Sequence, residues 1–143
     1  MIREIKRFLP KTVTKTILNI RGRNIPVRVS NVFGFDIYQN SSDIINYSKF
    51  RGKNIAAAGN SVDGRIFETM SRYIVKDSIA IDVGANIGLM TLVMSRLVGV
   101  RGRVYSFEPG PVSFGLLRAN VFSNILNGNV SIFDDALSDS NGS

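Results

Sequence analysis

The second half of the chain alternates short apolar runs with longer ones, and this order limits the folds that it can adopt. Three short runs, rich in β-branched and aromatic residues, have the length and composition of strands: "SIAIDV", "GRVYSFE" and "NVSIFDDAL". Two longer apolar runs between them have the length of helices: "NIGLMTLVMSRLV" and "PVSFGLLRANVFSNIL". Since strand crossovers are right-handed and place helices on the sheet, this β-α-β-α-β order predicts the N-terminal half of a doubly wound α/β fold.

The apolar patterns within these runs predict which surfaces are buried. Because "SIAIDV" is almost continuously apolar, we expect it to form a buried parallel strand. In the second helix, one face carries Phe114, Leu117, Val121 and Ile125. The apolar residues of the first helix, with Met90 and Met94 among them, are predicted to be core residues rather than ligand contacts.

Upstream of these runs, a helix is predicted over residues 62–75, because Ile66, Met70 and Ile74 form one apolar stripe. Ser61 and Asp63 are both candidate N-caps for this helix. We divide the chain into a basic N-terminal region, residues 1–61, and a partial α/β domain, residues 62–143.

The N-terminal region has weaker patterns. Two β-rich runs at residues 16–20 and 25–30 flank the turn "RGRN" and predict a hairpin, and "FGFDIY" is a candidate for a further strand. Residues 2–9 fit a short amphipathic helix. Residues 40–60 show little periodicity and are predicted to be loop with at most one short helix.

The composition excludes several kinds of chemistry. The chain has no cysteine and no histidine, so disulfides, serine–histidine catalysis and zinc sites built on these residues are excluded. No apolar stretch approaches the roughly 20 residues that span a bilayer, and the start of the chain lacks the apolar run of a secretory signal. We therefore expect a soluble, cytoplasmic protein without a transmembrane segment.

The net charge of +7 is unevenly distributed. Residues 1–78 hold 14 of the 18 Lys and Arg residues but only 6 of the 11 acidic residues. Such asymmetry can mark a surface for nucleic acid, for an anionic membrane or for an acidic partner. The basic residues are scattered and the nearby aromatic residues form no stacking series, so an ordinary solvated surface is favoured and nucleic-acid binding is not expected.

The segment "DVGANIG" joins the first strand of the α/β half to its first helix. Glycine at position 84 allows the backbone to approach a ligand closely, and Asn86 is of a type that tolerates a positive φ angle. N–H groups at the start of the following helix favour a carboxylate or a phosphate. A glycine turn alone is also typical of any close strand–helix junction.

A second acid strengthens the interpretation of this loop as a cofactor site. Glu108 ends the next strand, 26 residues after Asp82, where a carboxylate can accept hydrogen bonds from the two hydroxyls of a ribose. A nicotinamide fingerprint would read G-x-G-x-x-G, whereas this loop has Gly84, Asn86 and Gly88 with an acid before them. The pattern therefore indicates a different nucleoside cofactor.

Four features together resemble the FkbM-type family of S-adenosylmethionine-dependent methyltransferases: "IDVGANIG", "SFEPGP", the spacing of Asn120 and Asn124, and "NVSIFDDALSD". The resemblance covers residues 78–139. It implies that the chain binds S-adenosyl-L-methionine in a Rossmann-like class I methyltransferase fold. No metal is implied.

The resemblance also implies roles for the matched residues. Glu108 would hold the ribose hydroxyls, while Asp135 and Ala136 would meet the adenine, with Asp134 as a competing choice because the strand register is not fixed to one residue. The amino and carboxylate groups of the cofactor would be surrounded by Asp82, Gly84, Ala85, Asn86 and Gly88.

Each acid has a structural alternative as well. Asp82 can simply cap the next helix, and Glu108 can be a surface acid before Pro109. Asp134 and Asp135 can be ordinary turn residues.

In this family the methyl acceptors are typically hydroxyls of sugars or other small natural products, so the resemblance implies an enzyme that O-methylates a small molecule. Since the chain stops after the third strand, we expect a truncated domain whose acceptor site is completed by another polypeptide or in a homo-oligomer. The alternative is a non-catalytic remnant that binds the cofactor, with a basic N-terminal surface for a membrane or an acidic partner.

Overall fold

The computed structural model describes residues 26–40, 51–53, 62–124 and 128–139. These residues form an antiparallel pair of strands, a parallel three-stranded sheet and three helices. In chain order the elements are β1 (Pro26–Val32), β2 (Phe35–Asn40), α1 (Val62–Tyr73), β3 (Ile79–Val83), α2 (Leu89–Val98), β4 (Arg103–Phe107), α3 (Pro111–Ser123) and β5 (Val130–Phe133).

The parallel sheet has the strand order β3-β4-β5, so the predicted α/β class and element order are confirmed. Its register places Ile81 opposite Tyr105, and Tyr105 opposite Ser131. The helices α2 and α3 follow β3 and β4 at the predicted positions, with α2 beginning at Leu89, inside the run "NIGLMTLVMSRLV".

One face of the sheet is covered by helices. Because the strand order runs in one direction without reversal, right-handed crossovers place α2 and α3 on the same side. In agreement, α2 packs on β3 and β4, and α3 packs on β5. Asp82, Val104 and Ser106 are buried on this covered face.

The opposite face of the sheet is exposed. Ile79, Ile81 and Val83 of β3 have relative exposures of 67%, 58% and 61%, so the expectation that the whole strand is buried is wrong. The reason is topological, because neither crossover among the described residues reaches this side. We call this surface the open face; its apolar side chains, aligned by the strand register, are Ile79, Ile81, Val83, Tyr105, Phe107 and Phe133.

The strands β1 and β2 form a hairpin that turns at Phe33 and Gly34. Both turn residues have positive φ angles, 53° for Phe33 and 83° for Gly34. The run "FGFDIY" thus supplies the second strand of this hairpin. The predicted partner strand at residues 16–20 and the predicted turn at 21–24 lie outside the described residues.

Two asparagines fasten the hairpin to the α/β unit: Asn120 within α3 and Asn124 at its C-cap. The Asn120 side chain accepts a hydrogen bond from the Tyr38 N–H and donates to the Tyr38 carbonyl, at 2.5 and 3.0 Å. Asn124 does the same for the N–H and the carbonyl of Asp36, at 2.9 Å each. Their spacing of four residues puts both amides on one side of the helix, where they replace a partner strand along β2.

The hydrophobic core joins the hairpin to α1 and α2. Phe33 and Phe67 pack edge to face with ring centroids 5.0 Å apart, and Ile37 and Leu92 are fully buried in the same cluster. In α1 the predicted stripe is partly wrong, because Phe67 is buried whereas Ile66 is exposed. The hairpin decides this, since its turn residue Phe33 packs against Phe67.

Some predictions fall outside the described residues: the helix at residues 2–9, most of the loop at 40–60, Ser61 as an N-cap of α1 and the position of Ile125. Because α1 begins at Val62, Asp63 lies inside the helix and is not its N-cap. Among the helices of the described segments, none is long and apolar enough to cross a membrane.

Candidate functional site

The loop from Gly84 to Gly88 connects β3 to α2 and contains three residues with positive φ angles. These angles are 73° for Gly84, 52° for Asn86 and 90° for Gly88, which confirms the prediction for Asn86. A side chain at Gly88 would collide with Leu117, because an added Cβ would lie 2.5 Å from its Cδ1 atom. A Cβ at Gly84 would meet nothing within 4 Å, so the space next to Gly84 is free for a ligand.

Most N–H groups of this loop are already bonded within the chain. The N–H groups of Gly84 and Ala85 both donate to the Phe107 carbonyl, at 2.9 and 3.0 Å, and the N–H of Gly88 donates to the Ala85 carbonyl. The N–H of Asn86 donates to Glu108 Oε2 at 2.8 Å. These bonds tie the loop to the end of β4.

Among the described residues, the donors left for an anion are therefore the Ile87 N–H of the loop and those in the first turn of α2. The first four N–H groups of a helix have no partner within it, and here those of Gly88 and Thr91 are bonded elsewhere. Leu89 and Met90 supply the remaining two. This narrows the sequence-based expectation, which assigned anion binding to the helix start as a whole.

Glu108 follows β4 and holds two backbone segments together. Its Oε2 atom accepts from the Asn86 N–H and its Oε1 atom accepts from the Gly110 N–H, each at 2.8 Å. A carboxylate offers about four acceptor positions, so both oxygens can accept further hydrogen bonds. The side chain is only partly buried, which keeps these positions accessible.

Asp82 lies under the loop on the covered face and is 8% exposed. Thr91 Oγ1 donates to Asp82 Oδ2 at 2.6 Å, and the Thr91 backbone N–H also bonds this carboxyl group. The N-cap Gly88 has no side chain to cap α2, so Asp82 supplies a cap from the neighbouring strand. The capping role left open by the sequence is thus present, and it does not preclude contact with a ligand.

Burial raises the pKa of Asp82, the hydrogen bonds from Thr91 oppose this rise, and the nearby charge of Glu108 adds to it. Because the pKa of Asp82 is higher in the folded protein than in the unfolded chain, protonation of Asp82 stabilises the folded state. This stabilisation is complete at pH values below the unfolded-state pKa. It is lost as the pH rises through the higher folded pKa. Ionisation of Asp82 therefore lowers the stability of the ligand-free protein, and a cationic ligand bound beside the carboxylate would reduce this cost.

Asp134, Asp135 and Ala136 follow β5 and are exposed. The N–H of Glu108 donates to the Phe133 carbonyl at 3.0 Å, so this segment begins beside Glu108. Both aspartates are accessible at the same edge, and the choice between them at the adenine stays a prediction.

The carboxyl edge of the parallel sheet is acidic although the chain is basic overall. Asp82, Glu108, Asp134 and Asp135 all lie at or just beyond the ends of the three strands. In the part of the chain that the structure describes, the ion pairs involve other acids, namely Asp36, Glu68 and Asp77. The four edge acids thus form a negative region that is complementary to a cation.

Sequence reasoning missed Thr91 and Ser106, which are both fully buried. Thr91 lies within the long apolar run of the first helix and Ser106 within the strand run "GRVYSFE", and neither is assigned a role from the sequence. A polar residue at a core position of each element was the available signal, because buried hydroxyls require hydrogen-bond partners.

A cleft of about 300 Å³ lies at the opposite end of α2 and includes Phe35, Arg96 and Gly99 in its lining. The Arg96 guanidinium stacks 3.9 Å above the Phe35 ring and donates to the Phe33 carbonyl at 3.0 Å. These contacts hold the hairpin turn on α2. None of the predicted site residues lines this cleft.

No protein-family model and no curated protein matches this chain. Among solved structures, the chain is similar to TYW2 of P. horikoshii in complex with MeSAdo, with 19% identity and a TM-score of 0.56 over 84% of this chain and 39% of that one. It is also similar to a Pyrococcus horikoshii protein described as a transferase, with 16% identity and a TM-score of 0.55 over 80% and 37% of the two chains.

A third similar structure is a SAM-dependent O-methyltransferase from Thermotoga maritima, with 23% identity and a TM-score of 0.46 over 50% of this chain and 28% of that one. In each of the three comparisons, the match spans about two fifths or less of the neighbour's length. At these identities, the likeness to the two structures with TM-scores above 0.5 shows the fold alone. The chain has a Rossmann-like α/β fold with a parallel sheet.

Proposed function

We propose that this chain is the S-adenosyl-L-methionine-binding part of an FkbM-type methyltransferase. The observation that carries the proposal is the acidic carboxyl edge, where Asp82 and Glu108 flank a loop with open space beside Gly84. S-adenosylmethionine carries an ammonium and a sulfonium group, and both are attracted to nearby carboxylates at short range. A cofactor with several phosphates would be repelled by the same edge.

The proposed contacts follow the geometry of the loop. The methionine end of the cofactor lies beside Gly84, Ala85 and Asn86, with its ammonium group toward Asp82. Its carboxylate meets the N–H groups of Leu89 and Met90, which the positive end of α2 supports. The tight turn at Gly88 brings this helix end close to the ligand.

The nucleoside end extends along the carboxyl edge toward β5. Glu108 accepts hydrogen bonds from the ribose hydroxyls with the acceptor positions that its backbone bonds leave free. Asp135 and Ala136 meet the adenine, with Asp134 as the alternative acid. The adenine assignment rests on the resemblance to the family and on the position of this segment beside Glu108.

When bound, the cofactor supplies an activated methyl group on its sulfonium sulfur. The residues of this chain then bind and orient it, so that an acceptor can approach in line with the bond that breaks. The acceptor implied by the family is a hydroxyl of a sugar or another small metabolite, and its proton must pass to a base.

We further propose that the acceptor side of the site is formed by another α/β segment docked on β3. The carbonyl of Ser78 and the N–H of Gly84 form hydrogen bonds with β4. Because the backbone groups of successive residues point alternately to the two edges of a strand, those of Ile79, Ile81 and Val83 point to the edge of β3 that faces away from β4. None of the described strands pairs with that edge. It is therefore available to a further strand.

A parallel strand added at this edge would reverse the direction of the strand order. Its right-handed crossover would then place a helix on the open face, and parallel sheets are normally covered on both faces. The reversal point lies at the carboxyl end of β3, which is where ligands bind in open α/β sheets. The segment is thus expected to add a strand, to cover the open face and to border the cofactor loop.

The proposed function is tested by calorimetric titration of the chain with S-adenosylmethionine. We expect binding, and we expect Glu108→Ala to weaken it about ten- to hundredfold, because hydrogen bonds to a charged group contribute roughly 1.5–3 kcal/mol. Glu68→Ala is the matched control, since Glu68 is an exposed acid on α1 that pairs with Arg72. Melting curves of both variants check that the fold is intact. Absence of binding, or equal binding in the Glu108 variant, would refute the assignment.

A further inference from the structure

A chain of three buried polar side chains lies beneath the glycine loop. Thr91 Oγ1 is 2.6 Å from Asp82 Oδ2 and 3.0 Å from Ser106 Oγ. The three residues belong to α2, β3 and β4, and Thr91 and Ser106 are fully buried. They therefore link the two strands and the helix that surround the proposed cofactor site.

The donors in this chain can be assigned from the number of available protons. An ionised carboxylate only accepts hydrogen bonds, so the single hydroxyl proton of Thr91 is directed to Asp82. The oxygen of Thr91 must then accept the proton of Ser106. The chain is directed from Ser106 through Thr91 to Asp82, and each hydroxyl proton polarises the next bond.

Within the described segments, no cationic side chain pairs with Asp82. The ion pairs there join Arg28, Arg72 and Arg101 to other acids. From β4, Glu108 is the charged group that acts on Asp82, and it disfavours a second negative charge. From α2, both groups that act on the carboxyl group belong to Thr91. The hydroxyl and N–H of Thr91 are thus the groups that oppose desolvation of this carboxylate.

We propose that Thr91 and Ser106 are positioning residues of the cofactor site, which hold the Asp82 carboxylate in one orientation and as an anion toward the ammonium group of S-adenosylmethionine. The inference rests on the proposed function. It differs from a simple helix cap, because a cap acts on the stability of α2, whereas this network affects the affinity for the cofactor through the charge of Asp82.

The test compares Thr91→Val, which removes the hydroxyl at nearly constant volume, with Thr91→Ser, which retains it. The pKa of Asp82 is measured by NMR in the ligand-free variants, and S-adenosylmethionine affinity is measured by calorimetry across the acidic and neutral range. We expect Thr91→Val to raise the pKa of Asp82 by about one unit, which corresponds to about threefold weaker binding midway between the two pKa values and up to about tenfold weaker binding at pH values below both. At higher pH its affinity should approach that of the wild type, and Thr91→Ser should behave as the wild type throughout.

The outcomes separate the two proposals. If the wild-type chain does not bind S-adenosylmethionine, the proposed function fails, and the positioning role fails with it. If it binds but Thr91→Val weakens binding by the same factor at every pH, or leaves the pKa of Asp82 unchanged, the positioning role alone is overturned. If Thr91→Val does not fold, Ser106→Ala is tested instead. We expect it to raise the pKa of Asp82 by a smaller amount, and the absence of any shift would count against the proposal.

Discussion

The two faces of the parallel sheet differ in both side-chain size and exposure. Toward α2 the strands present Ala80, Asp82, Val104 and Ser106, which are small or polar and are buried or partly buried. The open face instead carries larger apolar residues, among them Ile79, Ile81 and Val83, and these are mostly exposed. Small side chains allow the helix to approach closely and leave room for a buried polar network. Large exposed apolar side chains provide stabilisation only when another surface covers them.

The largest expected effect tests whether the stability of the fold on the covered face depends on the asparagines that hold the hairpin. Asn120 is fully buried and also donates to the Ile87 carbonyl at 2.6 Å, in addition to its two bonds with Tyr38. Asn120→Ala leaves these backbone groups without a partner, which should cost roughly 2–4 kcal/mol of unfolding free energy. Urea denaturation measures the loss. Asn124→Ala is the matched control, and because Asn124 is only partly buried its cost should be smaller; equal costs would argue against the role of burial.

The next effect compares the same substitution on the two faces. Val104 is fully buried on the covered face, whereas Val83 is 61% exposed on the open face. Val104→Ala should lower the free energy of unfolding by about 1.5–3 kcal/mol through lost burial and a cavity. Val83→Ala should lower it by less than about 1 kcal/mol. Chemical denaturation of both variants decides the question, and similar losses would mean that the open face is covered after all.

The smallest expected effect on stability is that of a substitution on the open face, which should instead change the self-association of the chain. The described residues leave the open face uncovered and one edge of β3 unpaired. Such surfaces favour contacts between chains, so we expect the chain on its own to self-associate in sedimentation velocity experiments. Ile81→Lys should reduce this association, with less than about 0.5 kcal/mol change in unfolding free energy because the site is exposed. Ile66→Lys is the matched control, as Ile66 is an exposed isoleucine on α1. A monomeric wild type, or an equal effect of both variants, would argue against the open face as a docking surface.

Much of the candidate site could be predicted from local sequence. The loop conformation follows from Gly84, Asn86 and Gly88, since these residue types adopt positive φ angles at low cost. The placement of Glu108 beside this loop follows from strand order, because adjacent parallel strands end at the same edge. The direct bond from the Asn86 N–H to Glu108 was not predictable, since it depends on the register of β3 and β4 to one residue.

Contacts between distant segments escaped prediction for the same physical reason. The exposure of Ile66 and the burial of Phe67 depend on Phe33, which approaches α1 from a hairpin more than thirty residues away along the chain. The roles of Thr91 and Ser106 depend on Asp82 facing α2. A helical or strand period shows that a residue is apolar or polar, but it does not show which element will lie opposite.

By itself the sequence determined the order of strands and helices from residue 78 onward, the left-handed conformation of Asn86 and the acids at the strand ends. These depend on backbone preferences and on periodicity within a few residues, which are local properties. The tertiary structure alone decided that Asp82 caps α2 through Thr91, that Asn120 and Asn124 hold the hairpin, and that the described segments leave one face of the sheet open. Those features arise from packing between segments far apart in the chain, where handedness and shape select the partners.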